Sequence, residues 1–588
     1  MHHRPRDPAL TPLEAAWAER EIARLLQIGT LQERGAPPRR MHRWRLTGKK
    51  GPKLFRMVIN MIPTNRYLKY VPGRYDDVRF FLGLLGRGSF FMSRDLVDAY
   101  FHVNVHPLSR ELLGFAWRAR YFVFLTLPFG LSDSAGVFTT VYSALVDHWR
   151  RVAVPRIGNF FDDLFWAALT AADCLAAHEF ILREARTLGL TFDPMKGNLA
   201  PTQQGVVLGF LVDTRVLTVS IPAEALARIR GKAEAMLGAG AATARQVYSL
   251  AASLMTYKRA CMLAAPHAYA LYSACDGQAR WDRPFALSPE LRAELEWARV
   301  GLPFCASRRF GWEPAEIIHL QSDASATGCC LVQVDPASKA PLGPEQRTAF
   351  TVEELALSSN NRELRTLVRG LECFGPLLRG KACRIEQDNS CSVAYATKGG
   401  GPVPALRSVT LQLFETALRL GTDLLPAIHI PRALNARADL GSREFETEDY
   451  ALCELHFVKL SKRFGPFRVD RFADDFNTKL AVFNSRWLCP GAAAVDAFSQ
   501  TWGAREYLFP PLSRLADVVD KVLRDRSSGM LVAPRHLPAL QPFWQAVLDW
   551  KELPPGAVLP GPSRTPAPLT SSGAPLPWTA LSFDAGRQ

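Results

Sequence analysis

The residues best placed to do chemistry are Asp162 and Asp163, in the run Gly158-Asn159-Phe160-Phe161-Asp162-Asp163-Leu164-Phe165-Trp166. Apolar residues Ile157 to Phe161 and Leu164 to Ala168 flank the pair. Each flank is short and rich in aromatic or branched side chains, the pattern of a buried strand. The aspartates then fall in a tight hairpin turn. Asp favours turns for its own reasons, but two carboxylates on one rigid turn also suit a hard divalent cation, which takes oxygen ligands. A third carboxylate, Asp95, ends the apolar run Phe90-Phe91-Met92-Ser93-Arg94-Asp95. One separate aspartate and an aspartate pair on neighbouring strands meet the requirement of two-metal phosphoryl chemistry: one ion activates a hydroxyl and the other stabilises the leaving group.

A second set lies further along. Ile317-Ile318-His319-Leu320-Gln321-Ser322-Asp323 and Arg384-Ile385-Glu386-Gln387-Asp388 are strands that end in an aspartate. Glu363 sits in a helix whose apolar stripe is Leu364, Leu367, Val368 and Leu371. His429 precedes Asn435-Ala436-Arg437-Ala438-Asp439. Four carboxylates from separate elements suit two-metal hydrolysis of a phosphodiester. Glu386 is a neighbour that competes for the role of Asp388; the strand end favours Asp388.

The elements that must carry these groups fill a chain of 588 residues with a formal net charge of +15. That length provides for three or four domains, and the charge favours a polyanionic partner. Eleven cysteines without a C-x-x-C pair argue against a disulfide framework or zinc site and for a reducing compartment. Met1-His2-His3-Arg4-Pro5-Arg6 leads into no apolar segment, so no signal peptide is expected. No run of about 18 apolar residues predicts a membrane span. Residues 11–34 read as an amphipathic helix capped by Thr11, followed by a basic loop with Arg39, Arg40, Arg43, Arg45, Lys49, Lys50, Lys53 and Arg56. Strands and helices alternate over 55–214, residues 222–275 read as all-helical, and α/β patterns return over 315–445 and 455–550. The segment from Pro554 holds Pro555, Pro560, Pro562, Pro566, Pro568, Pro575 and Pro577 and is expected to be a disordered tail without a core.

The first set resembles the palm of reverse transcriptases, motif by motif from about residue 13 to 214. The resemblance implies that Asp95, Asp162 and Asp163 hold metal. It places Tyr100 at the aromatic gate against the incoming sugar, and Arg56 at the fingers arginine on the triphosphate. Phe129 and Gly130 fall in the Leu-Pro-Phe-Gly box, Lys196 at the late lysine, and Leu208-Gly209-Phe210 at the primer grip. Departures are Phe160 for the usual tyrosine, Asn60 and Ile62 for Asp and Arg, and Ala135 for proline. The second set resembles RNase H: Asp323, Glu363, Asp388 and Asp439 match its acidic tetrad and His429 its mobile histidine, with Cys329-Cys330 as packing residues. The third segment, Phe464-Gly465-Pro466-Phe467-Arg468-Val469-Asp470-Arg471 through Asp496-Ala497-Phe498 to Phe509-Pro510-Pro511-Leu512, resembles the phage-type Dam adenine methyltransferase domain of DIRS-type retrotransposons. An active member carries a polar residue before Pro-Pro and an aromatic after it, to hold a flipped adenine. Phe509 cannot accept a hydrogen bond from an amine and Leu512 cannot stack as a ring, so a fold kept without its chemistry is expected. Lys462, Arg463, Arg468 and Arg471 would form a basic surface.

Together the resemblances imply the polymerase polyprotein of a DIRS-type element, an α/β and α+β multidomain chain. Its expected parts are reverse transcriptase fingers and palm (11–214), a helical thumb and connection (215–312), an RNase H-like α/β domain (313–446), a degenerate C-terminal α/β methyltransferase-like domain (455–550) and the tail (554–588). They further imply RNA-directed DNA synthesis, RNase H activity, and Mg²⁺ or Mn²⁺ as cofactor with two ions per active site. The implied partners are an RNA template, a DNA primer, an RNA–DNA hybrid and deoxynucleoside triphosphates, with no membrane. An element-encoded capsid-like protein and a tyrosine recombinase complete the set. No Arg…His-x-x-Arg…Tyr set is seen in the tail, so truncation before the recombinase, or a separate reading frame, is expected. An intracellular site, cytoplasm or nucleus, follows. Two alternatives stay open: a decayed or domesticated nucleic-acid-binding relic, favoured by Asn60, Ile62 and Ala135, and a polymerase specialised for DNA templates.

Overall fold

Apolar runs become strands here, and the strands Phe90–Asp95, Asp163–Ala168, Ile317–Ala324 and Ala382–Gln387 each have a carboxylate at or next to one end. The computed structural model describes residues 7–48, 55–69, 75–277, 280–444, 450–560 and 576–587. Lys49, Lys50 and Lys53 of the expected basic loop, residues 445–446, and Pro562, Pro566, Pro568 and Pro575 of the expected tail lie outside them. The chain is a mixed α/β multidomain protein that divides into two units. Residues 1–223 with 309–311 form one, and residues 224–308 with 312–588 form the other.

In the first unit a three-stranded antiparallel sheet runs Phe90–Asp95, Asp163–Ala168, Ile157–Phe160. Helices Ser134–Val152 and Ala171–Thr187 back it. Their apolar stripes bury Val146, Trp149 and Ile181 against the sheet's Trp166 and Met92. Fully burying each such side chain is worth roughly 1.5–3 kcal/mol, so this face is the rigid floor of the aspartates. A second sheet orders Leu31–Arg34, Arg120–Phe124, Gly114–Trp117 and Met41–His42.

The amino-terminal helix differs from expectation. Thr11 caps it in a full capping box with Glu14, but it ends at Gln27. Gly29 follows with φ +70°, a left-handed turn that lets Leu31–Arg34 join the sheet. The basic loop is also corrected. Trp44–Gly48 and Phe55–Ile59 form a hairpin, because Trp44, Met57 and Ile59 alternate inward while Arg45 and Arg56 alternate outward.

In the second unit, helices Ala223–Ala239, Ala244–Thr256 and Ala264–Ser273 precede a mixed sheet. Its order is Gln346–Ala349, Gly328–Val334, Ile317–Ala324, Ala382–Gln387, Asp423–Leu424, and Ile428–His429 also pairs with Ala382–Gln387. Ile317–Ala324 and Ala382–Gln387 are parallel neighbours. Their carboxyl ends therefore open on the same edge, where ligands bind in open parallel sheets. Helices Ser359–Cys373 and Pro404–Leu420 pack together beside it.

A further sheet orders Val469–Asp470, Glu506–Leu508, Ser528–Pro534, Trp578–Asp584 and Val547–Glu552. The expectation of a coreless tail fails here. Trp578–Asp584 lies between two strands and pairs with both. Trp578 and Ala580 face one apolar cluster, while Leu581 and Phe583 face the other. The proline count hid this apolar run, and the last sheet extends well past residue 550. Arg471, expected on a basic surface, is instead buried: its guanidinium grips Glu506 through two bonds of 2.7 and 2.9 Å. Among the described residues, no helix is long and apolar enough to cross a membrane.

Candidate active sites

The first site is built on pairing register. Asp95 stands directly opposite Asp163 across the antiparallel strands, and Phe160 pairs with Asp163 across the hairpin. Phe161 and Asp162 are therefore the two-residue turn, and Phe161 takes φ +52°. The aspartate pair is split by structure: Asp162 is a turn residue and Asp163 opens a strand. Burial, then Asp162 and Asp95, push Asp163 up to about 6. Burial and Asp95 also raise Asp162. Carboxylates crowded this way favour protons or a cation.

Lys196 supplies one cation. Its ammonium bonds Asp95 Oδ2 and lies 3.8 Å from Asp193. The sequence reading missed what puts it there. Gly197, at φ +95°, lies against the Ser93 carbonyl, where a Cβ would come within 2.2 Å. Asn198 donates twice to Ser93 Oγ at 3.0 Å, from its backbone and its side chain. Positive φ at Gly is invisible to a motif scan, although Lys-Gly-Asn is a turn signature.

The expected substrate residues gather beside this sheet. Tyr100 packs its ring 5.0 Å from Phe129 and 5.8 Å from Phe138, and Asp162 raises its hydroxyl's pKa after burial does. Arg56 lies 5.7 Å over the Phe129 ring and acts electrostatically on Asp162. Gly130, at φ +102°, must be glycine: a Cβ would sit 2.4 Å from the Ile59 carbonyl. That close approach locks the Leu-Pro-Phe-Gly turn onto the strand bearing Arg56. Asn65 reinforces the contact, donating to the Gly130 carbonyl and accepting from the Ser132 N–H, both at 3.0 Å.

In the second site, oxygens of Asp323, Glu363 and Asp388 lie within 4.8 Å of one another. Asp323 and Asp388 come from adjacent parallel strand ends, and Glu363 from the helix Ser359–Cys373. Burial, then the two aspartates, push Glu363 up to about 9, and burial also raises Asp323. Gln387 Nε2 donates to Glu363 at 3.1 Å, and Ser442 Oγ to Asp323 at 2.5 Å. Asn435, fully buried, donates to the Ser322 carbonyl at 3.0 Å and reaches Asp388 at 3.4 Å. Ser442 had no sequence signal. Asp439 stands outside the cluster of three, held by Arg432 at 2.6 Å and Arg443 at 2.5 Å, yet close enough to raise Asp323. His429 is exposed and places Nε2 3.1 Å from the Asp388 carbonyl. Glu386 is excluded as an alternative: it is buried and bonded to His319, Gln321 and Lys339.

Among the described residues, Asp323, Glu363 and Asp388 are the one trio this close. Hard carboxylate oxygens converging from three elements, with one proton held to about pH 9, fit a divalent ion. The first site's aspartates offer the same donors, with Asp95 engaged by Lys196.

Residues 48–212, which hold the first site, match the family model for reverse transcriptase (RNA-dependent DNA polymerase). This segment is similar to reverse transcriptase domains. No curated protein matches the chain. Among solved structures, the chain is similar to a foamy viral protease-reverse transcriptase in complex with double-stranded DNA. That match has 15% identity and a TM-score of 0.48, covering 73% of this chain and 72% of the other. It is also similar to the foamy viral protein with an RNA/DNA hybrid, at 16% identity and a TM-score of 0.46, covering 76% of this chain and 58% of the other. The segment that the family model matches contains Asp95, Asp162, Asp163, Arg56, Tyr100, Phe129, Gly130 and Lys196.

Proposed function

We propose that the chain copies RNA into DNA at the first site and cleaves the RNA strand of the resulting hybrid at the second. The observation that carries this reading is the placement of Asp95 against Asp163, with Asp162 in the adjoining turn, inside a reverse transcriptase domain. In this reading the sheet of Asp95 and Asp163 is a palm, the hairpin of Arg56 belongs to the fingers, and the helices from Ala223 to Ser273 form a thumb. Divalent Mg²⁺ or Mn²⁺, two ions per site, would activate the primer hydroxyl or water and stabilise the leaving group. Asp95, Asp162 and Asp163 would hold it in one site, and Asp323, Glu363, Asp388 and Asp439 in the other. The chain's own residues do the rest. Arg56 and Lys196 offer positive charge to a triphosphate, Tyr100 and Phe129 wall the sugar, and His429 stands at the rim of the hydrolytic site.

The order of a polymerase site, an RNase H-like site and a degenerate Dam-like domain supports assignment to a DIRS-type element. The test is primer extension on RNA and DNA templates with Mg²⁺ or Mn²⁺, with the labelled hybrid followed for RNA cleavage. Extension on RNA with hybrid cleavage is expected. Template-bound protein with neither activity would instead support a relic that only binds nucleic acid.

A further inference from the structure

Two of the four proposed hydrolytic carboxylates ride on helices, and the carboxy-terminal segment holds both helices. Glu363 sits on Ser359–Cys373 and Asp439 on Ala436–Gly441. Asp323 and Asp388 belong to strand ends, which the sheet fixes directly.

The first hold runs through buried charge. Arg347 is 5% exposed, and its guanidinium stacks 4.1 Å from the centre of the Trp487 ring. The same guanidinium donates twice to Glu345, at 2.9 and 2.7 Å. The Leu488 N–H donates to the Glu345 carbonyl at 2.8 Å. The other Glu345 oxygen accepts from Arg437 Nε, two residues before Asp439 on the same helix. The helix is pressed close: a Cβ on Gly441 would lie 2.5 Å from Cys330 Sγ and 3.1 Å from Arg347 Nε. Its following residue, Ser442, donates to Asp323.

The second hold is independent. Arg369, six residues after Glu363 on the same helix, pairs with Asp475 at 3.1 Å and lies 4.3 Å over the Phe476 ring. Asp474 accepts from the N–H groups of Phe476 and Asn477 at 2.8 and 2.9 Å, which fixes that turn.

We propose that residues 475–488 are a positioning brace for the hydrolytic metal site, with Trp487 and Asp475 as its contact points. The inference rests on the reading of that site as a metal-dependent ribonuclease. A cation–π stack and an ion pair are directional contacts, so each fixes a helix angle more tightly than apolar packing does. Groups that orient metal ligands change metal affinity without touching the metal. The brace acts through the helices and touches no substrate, so these are positioning residues.

The test uses the full chain carrying Asp162→Asn and Asp163→Asn, so that Mn²⁺ heat in calorimetry reports the second site. That heat is defined as the part Asp388→Asn removes. Trp487→Ala should weaken Mn²⁺ binding about 10-fold, the low end for groups that orient ligands, at unchanged stoichiometry. The Mn²⁺ midpoint for hybrid cleavage should rise by the same factor, with the rate at saturating Mn²⁺ unchanged. Trp487→Phe, which keeps a ring face, should restore both. Asp475→Asn, a milder change, should shift both in the same direction. Unchanged affinity in Trp487→Ala and Asp475→Asn overturns the brace. So does a loss of stoichiometry rather than affinity, or a defect that Trp487→Phe leaves in place. If the parent chain binds Mn²⁺ but cleaves no hybrid, the ribonuclease reading fails and the affinity shift alone decides the brace. If Asp388→Asn removes no heat, both fall.

Discussion

Asp95 and Asp163 face each other across one antiparallel strand pair, at the last residue of one strand and the first of the other. Their backbones fix the separation of the two carboxylates before any ligand arrives. Asp162 projects from the turn between Phe160 and Asp163, so a conservative change there leaves the sheet intact. Asp162→Asn or Asp163→Asn keeps shape and loses charge. Either should lower primer extension by at least about 100-fold if two metal ions are held here, with a melting temperature no lower than the parent's, because each change relieves carboxylate crowding. Extension at the parental rate in Asp163→Asn would remove these residues from the metal site.

The two sites should separate genetically. Asp388 belongs to the cluster with Asp323 and Glu363, in the other unit from Asp95, Asp162 and Asp163. Asp388→Asn should abolish cleavage of a labelled RNA–DNA hybrid while primer extension on RNA proceeds. A joint loss of both activities in a stably folded variant would contradict two independent sites.

Tyr100 is wedged between Phe129 and Phe138 and feels the charge of Asp162. In the proposed reading a sugar gate borders both the aspartates and the nucleotide, and Tyr100 lies between Phe129 and the field of Asp162. Tyr100→Ala should raise ribonucleotide insertion relative to deoxyribonucleotide insertion in single-nucleotide assays. An unchanged ratio with lowered stability would make Tyr100 a packing residue.

Glu363 offers a test without catalysis. Its carboxyl is held to about 9, against an ordinary 4.5, by burial and two aspartates. Between those values the folded chain keeps a proton that the unfolded chain has lost. The folded-state advantage is therefore fully present below about 4.5 and is lost as pH rises through about 9. In metal-free buffer, Glu363→Gln should become progressively more stable than its parent as pH rises from 5 to 9. The gap in melting temperature should widen by at least about 2–4 °C, the effect of 1 kcal/mol in a domain of 150–250 residues. Added Mn²⁺ should reverse the order, because the parent alone retains the full ligand set. Parallel curves across the pH range would mean that the carboxyl is not crowded.

The strand-end carboxylates were legible in sequence because each ends a local apolar run, and a strand needs only its own residues to announce itself. Glu363 was legible through its helical stripe. Ser442 and Gly197 were not, since each acts through a contact made by a distant strand: Ser442 with Asp323, Gly197 with Ser93. Trp578–Asp584 was missed for a related reason. Its partners, Ser528–Pro534 and Val547–Glu552, lie tens of residues upstream, and the intervening prolines masked its apolar pattern. Arg471 reads as surface charge in sequence because its buried partner, Glu506, is 35 residues away. Local pattern reports where a strand is, while pairing decides what its side chains meet.

The last sheet should fold without transferring methyl groups. A transferase acting on adenine needs a polar side chain to hold the amino group and a ring to stack on the base. In the Dam-like reading those roles fall at Phe509 and Leu512. Phe509 is buried, and its ring meets Trp578 edge-on at 5.4 Å. Leu512 is packed against the same apolar cluster. Phe509 therefore serves the core, and Phe509→Ala should cost about 3–5 kcal/mol, measured by denaturant unfolding. Lys462, Arg463 and Arg468 are exposed, and Arg463 pairs with Asp549. Nucleic-acid binding there should weaken steeply with salt. Labelled S-adenosylmethionine with adenine-containing DNA should give no transfer. Transfer that disappears with Phe509→Ala at a temperature where the variant stays folded would overturn the assignment, because a core ring has no bond to offer the amine.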